Sequence, residues 1–156
     1  MSEGIQAVVS AARASGDWQL VLDAVPYFRF LGLTLERVDG RLRAHMAFSD
    51  HLVGNPTLPA LHGGTLGALL EMVAQCEVLD RAASEVLPRT ITLTVDYLRS
   101  GKPVDTFAVA EVVRRGRRVA TVQARAFQED PQSPIALATV HLLVRGEGPA
   151  APTEGG

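Results

Sequence analysis

The stretch from Gly63 to about Ala83 limits the fold more than any other part of the chain. Leu66, Leu69, Leu70, Met72, Val73, Val78 and Leu79 put apolar groups on nearly every side of a helix. A helix of that kind is enclosed by protein, and no apolar run here approaches the roughly 20 residues that cross a bilayer. The segments able to enclose it alternate with period two: Thr90 to Leu98, Thr106 to Arg114, Arg118 to Gln128 and Ile135 to Val144. Arg115-Gly116-Arg117 joins two of them as a hairpin. Upstream, Leu33 to Val38 and Arg41 to Phe48 flank Asp39-Gly40, a pair that favours the type I′ turn. A hairpin, one buried helix and then tightly connected strands predict an α+β fold, an antiparallel sheet wrapped on one long central helix.

The remaining segments are less constrained. Residues 1–25 read as a helical lead-in, one helix over 3–14 and a second from Trp18 to Val25 with Asp17 as its N-cap. The aromatic run Tyr27 to Gly32 is expected to pack under the sheet. Residues 49–61, with Gly54, Pro56 and Pro59, read as an ordered loop without regular structure. Residues 26–145 then form one domain, and the Gly/Pro/Ala-rich residues 146–156 are expected to be disordered.

At 156 residues and 47% hydrophobic, the chain is long enough for one domain with a real core. A formal charge of −2 gives no basic field that would suggest nucleic acid as a partner. The single cysteine, Cys76, excludes an internal disulfide and is expected to be a small core residue, and no Cys/His cluster has metal-ligand spacing. Residues 1–10 lack a basic leader. The expectation is a cytoplasmic protein with no membrane segment.

His62-Gly63-Gly64 is the start of the central helix, where the first amides have no intrahelical partner and the macrodipole adds partial positive charge. That end can hold an oxyanion. Two turns inside, Glu71 is embedded in apolar sequence and can act as base or nucleophile in acyl transfer. Against this stands the ordinary reading of a solvated surface glutamate. Gly64, Gly67, Ala68, Glu71, Ala74 and Gln75 share one face of small groups plus the carboxylate, leaving room for a ligand or another backbone. Glu77, Asp80 and Glu85, in a more polar stretch, read as ordinary surface charges.

Asn55, Leu61-His62-Gly63-Gly64 and Glu71, with Val95 to Arg99 and the hairpin over 114–124, resemble the hotdog-fold thioesterases. The likeness is specifically to the phenylacetate-degradation-type (PaaI-like) acyl-CoA thioesterases and spans about residues 26–145. It implies a curved sheet around a central helix, with dimers or tetramers whose active sites lie at a subunit interface. In that family the catalytic Asp or Glu follows the first Gly of His-Gly-Gly by eight positions, which is Glu71. The first Gly supplies the amide that polarises the thioester carbonyl, which is Gly63. An Asn or Gln lies seven residues before that Gly; the slot here is Pro56, and a one-residue insertion assigns the role to Asn55. The hydroxyl that holds the attacking water falls on Thr90, or on Gln75 one turn after Glu71, which lacks a hydroxyl. His62 takes a supporting place at the helix start, bonding through its ring to backbone.

The resemblance also implies an acyl-CoA substrate, medium-chain or aryl, and no cofactor, coenzyme A being part of the substrate. Substrate contacts fall on Gly64, Gln75, Arg99 and Ser100, with Lys102 beside them. Arg114, Arg115, Arg117 and Arg118 either grip the phosphates of coenzyme A or simply solvate a turn and blunt an edge. Two other functions compete. His51 to Pro59 resembles the His-x-x-Gly-x-Pro-x-x-Pro loop of β-hydroxyacyl dehydratases of the same fold, although the acid position fourteen residues after His51 is Thr65. A non-catalytic acyl-CoA binding module is the other.

Overall fold

The computed structural model describes residues 2–81 and 86–144. Three helices lead in: α1 (Ser2–Ser15), α2 (Gln19–Ala24) and α3 (Pro26–Phe30). Next come β1 (Leu33–Val38) and β2 (Arg41–Met46), a short 3-10 turn (Asp50–Leu52), and the small strands β3 (Val53–Asn55) and β4 (Ala60–Leu61). The central helix α4 (Gly63–Arg81) follows, then β5 (Arg89–Tyr97), β6 (Thr106–Arg115), β7 (Val119–Phe127) and β8 (Ala136–Leu143). Six strands form one antiparallel sheet in the order β1-β2-β6-β7-β8-β5, and β3 pairs with β4 in a separate hairpin. This is the hotdog arrangement, with α4 packed across β2, β6, β7, β8 and β5.

Two rows of alanine set how closely α4 can approach. Ala44, Ala108, Ala126 and Ala136 are register partners across four strands, and each is fully buried. Ala110, Ala124 and Ala138 form the next row. With no side chain beyond Cβ there, Leu66, Leu69, Leu70, Met72 and Val73 of α4 fill the space and are all buried. Each large side chain removed from water in this way is worth about 1.5–3 kcal/mol. Opposite faces of the same strands carry Arg43, Val109 and Arg125, in keeping with a period-two pattern that has one side against the core.

Several local expectations are met and others corrected. Asp39 and Gly40 both have positive φ, 51° and 76°, and Val38 pairs with Arg41 directly, as a type I′ turn requires. Residues 49–61 are more regular than the sequence suggested, because Pro56 and Pro59 sit in the turn and leave β3 and β4 free to pair. Tyr27 and Phe30 do not pack under the sheet. They lie on α3, more than half exposed and stacked on each other, because the core beneath is already filled by Val21, Leu22 and Leu31. The expected disordered tail over 146–156 and the position of Glu85 fall outside the described residues.

Candidate active site

Two loops approach one another to form the start of α4. The His62 amide donates to the Leu52 carbonyl at 2.8 Å. A Cβ on Gly54 would lie 2.8 Å from the His62 Cα, so only glycine permits this close passage. The His62 Nδ1 then accepts the Gly64 amide at 2.8 Å, the ring-to-backbone cap expected of it, which puts the ring hydrogen on Nε2. His62 also receives the Thr65 hydroxyl on its carbonyl at 2.7 Å. The Gly64 amide is thus occupied, whereas the Gly63 amide donates to no atom of the described residues. A contact missed from the sequence seals the other side: the Tyr97 hydroxyl donates to the Gly63 carbonyl at 2.7 Å, and a Cβ on Gly63 would meet the Tyr97 ring at 3.1 Å. Its sole sequence signal was the Val95-Asp96-Tyr97 motif.

Glu71 is half-buried two turns further along. The Thr90 hydroxyl donates to its Oε1 at 2.5 Å, a charge-assisted distance. Thr90 faces the helix because of an irregularity in β5. Thr90 pairs with Leu142 and Thr92 with His141, so Ile91 has no partner in β8. Without that bulge Thr90 would share the outward phase of Thr92 and Thr94; with it, Thr90 joins Leu93 and Val95 on the side of α4. Gln75, one turn after Glu71, donates from Nε2 to the Pro88 carbonyl at 3.3 Å and to the Thr90 hydroxyl at 3.4 Å.

The other expected residues are spread around this pair. Asn55 is exposed in the β3–β4 hairpin, its Oδ1 accepting the amides of Thr57 and Leu58 at 3.0 and 3.3 Å. Arg99 donates to the carbonyls of Ser133 and Pro134 and, with Ser100, Lys102 and Gln128, lines a cleft of about 260 Å³. Arg117 and Arg118 are exposed on the β6–β7 turn. Thr90, Leu142, Ala120 and Arg115 share one row, so that turn lies toward the Glu71 end of the sheet and away from Tyr97 and Gly63. His51 is fully employed in local structure: Ser49 bonds its Nδ1 at 2.8 Å, and its Nε2 meets the Phe30 carbonyl at 3.0 Å. Among the described residues no group of three or more His, Cys, Asp or Glu could hold a metal ion, and no helix is long and apolar enough to cross a membrane.

The later acids of α4 are not the surface charges expected. Glu77 is buried and pairs with Arg81 at 3.1 Å. Asp80 accepts both Arg37 guanidinium nitrogens, at 2.8 and 3.2 Å, and the Trp18 indole at 2.7 Å. The Arg37 hydrogen bond, then that of Trp18, holds the Asp80 carboxyl below its usual range. The sequence hid this because Trp18 and Arg37, the partners of Asp80, are remote from it in the chain. Cys76 is a core residue as expected, its thiol pushed up to about 12 chiefly by burial.

An antiparallel sheet packed on one long central helix places the chain in the hotdog class. Residues 54–143 match the family described as the acyl-CoA thioesterase N-terminal domain. The medium/long-chain acyl-CoA thioesterase YigI of Salmonella typhimurium is 34% identical over 135 residues, covering 77% of this chain and 86% of that one. A solved structure from Chromobacterium violaceum is similar at a TM-score of 0.71 and 31% identity, over 87% of this chain and 95% of that chain. A phenylacetic acid degradation-related protein of Ralstonia eutropha is similar at 0.67 and 28%, over 77% and 91%. The chain belongs to the acyl-CoA thioesterase family of the hotdog superfamily, and it is a thioester hydrolase.

Proposed function

We propose that this protein hydrolyses medium- to long-chain acyl-CoA at sites shared between two protomers, with Glu71 as the reacting carboxylate and the Gly63 amide as the oxyanion donor. The acyl length follows the YigI relatives, which are medium/long-chain acyl-CoA thioesterases. The observation that carries the chemistry is the Thr90–Glu71 hydrogen bond, which fixes one carboxylate oxygen and leaves Oε2 without a partner among the described residues. Gly63 and Glu71 are eight residues apart, about 12 Å of helical rise. One thioester carbonyl cannot touch both within a protomer, so the reading pairs Gly63 of one chain with the partner's Glu71. The unpaired edge of β5, with Ile91, Tyr97 and the adjoining Leu98 at least half exposed, supports a homodimer built there.

In this mechanism the carbonyl oxygen sits on the Gly63 amide, and a donor of that kind lowers the barrier by about 3 kcal/mol. Glu71 Oε2 takes a proton from a water that adds to the carbonyl, or attacks it to form a mixed anhydride that water then opens. Coenzyme A leaves as the thiol in both routes. Arg117, Arg118 and the cleft at Arg99 and Ser100 are available to its phosphates. Asn55 and His62 hold the loop and helix start that present Gly63.

A panel of aryl, medium-chain and long-chain acyl-CoA substrates with a thiol-reactive dye tests the proposal on wild type and Glu71→Gln together. Thiol release that vanishes in Glu71→Gln is expected. Tight acyl-CoA binding without release by the wild type would replace hydrolysis with a binding role. Single turnover in ¹⁸O-water identifies the anhydride route when water opens it at the Glu71 carbonyl, since only then does enzyme oxygen enter the first acid released.

A further inference from the structure

We propose that Gln75 is a positioning residue that acts through Thr90, its carboxamide turning the Thr90 hydroxyl proton onto Glu71. The inference rests on the reading of Glu71 as the reacting carboxylate. It departs from the expectation that Gln75 touches substrate.

The argument is one of donors and acceptors. The Pro88 carbonyl can only accept, so the Gln75 atom 3.3 Å from it is the amide nitrogen, and the orientation of the amide is fixed. That nitrogen has two hydrogens, and the second faces the Thr90 Oγ1 at 3.4 Å. A hydroxyl has one hydrogen to give. With a donor arriving from Gln75, Thr90 is held as acceptor on that side and its own hydrogen points to Glu71 Oε1, 2.5 Å away. Both donors of Gln75 are then used, and none is left for substrate. Thr90 keeps one lone pair, which can accept from a water that gives its other hydrogen to Glu71 Oε2.

The geometry is built from three elements that the sequence keeps apart. Gln75 and Glu71 share a helix face at i, i+4. The Ile91 bulge brings Thr90 to that face, and Pro88 precedes the strand with its carbonyl turned to the helix. A Gln at this position therefore does not replace a helix hydroxyl; it supports a strand one.

A double-mutant cycle tests this with steady-state thiol release. Gln75→Met keeps the length and removes both donors; kcat should fall about tenfold, the loss of one oriented hydrogen bond, with KM within about twofold. Thr90→Val should lose as much or more. The double variant should be no slower than Thr90→Val alone. Gln75→Glu, polar and nearly isosteric, keeps the site hydrated if the methionine fails to fold; its carboxylate accepts instead of donating and should cost at least as much as Gln75→Met. Independent losses that multiply in the double variant, an unchanged kcat, or a KM effect without a kcat effect would each overturn the proposal while leaving Glu71 as the reacting group. A wild type inert on every acyl-CoA, or one indifferent to Glu71→Gln, would overturn both readings.

Discussion

Glu71 and Asp80 are nine residues apart on the same helix, and their surroundings are opposite. Asp80 has its oxygens taken by the Arg37 guanidinium and the Trp18 indole. Among the described residues Glu71 has one neutral donor, Thr90, on one oxygen and no cation at hydrogen-bond distance. A carboxylate whose oxygens are all taken by donors, one of them charged, is a structural anchor; one with an open oxygen has a place for a water or a substrate atom. The C-terminal half of α4 is therefore tied to the lead-in segment through Trp18, and the N-terminal half carries the carboxylate with an open oxygen.

The contrast is broken if the wrong acid controls turnover. Glu71→Gln should lower kcat about a thousandfold with its melting temperature nearly unchanged, whereas Asp80→Asn should leave kcat per folded molecule alone. A heterodimer sharpens the point. Gly63→Pro removes the amide at a helix position where proline is tolerated, and the Tyr97 ring, 3.1 Å from a Cβ placed there, has to give by a few tenths of an ångström. A purified heterodimer of Gly63→Pro with Glu71→Gln should regain about half the wild-type turnover, because one of its two composite sites is intact. Sites contained within single protomers would leave it dead.

Stability should follow the other acid. Asp80→Ala leaves the buried Trp18 indole without its acceptor and should cost about 2 kcal/mol in urea unfolding; the half-exposed Arg37 adds little to that. The sign with pH is set by the lowered carboxyl: its contribution is complete above the ordinary range near 4 and is lost as pH falls through the depressed value. Asp105, held down by the Phe48 amide and then by His45, acts in the same direction. Melting temperatures should drop on acidification below about pH 4, less steeply in Asp80→Asn than in wild type. The smallest effect belongs to His51→Phe, which loses only its local ties to Ser49 and Phe30. It should cost about 1 kcal/mol or less and leave thiol release intact; crotonyl-CoA hydration that depends on His51 would revive the dehydratase reading.

The enclosed helix was legible because apolar residues on every side admit one environment, and the Asp39-Gly40 turn because two consecutive positive φ values call for that pair. Gly63, His62 and Glu71 stood out through spacing. The surroundings of Asp80 were hidden, since nothing local in Glu77-Val78-Leu79-Asp80 reports a Trp 62 residues earlier. The aromatics of α3 misled for a related reason: hydrophobicity says that Tyr27 and Phe30 favour cover, and not whether space beneath them is already taken. The face taken by Thr90 was also unreadable, because strict alternation over 90–94 puts the three threonines together.

That unmatched Ile91 makes the spacing within the edge strand decide whether Thr90 meets Glu71. An even ladder that kept this residue and paired it with Leu142 would improve the sheet as a sheet, yet rotate the first threonine outward to solvent. The enzyme would gain a more regular border and forfeit the proton donor that anchors its acid.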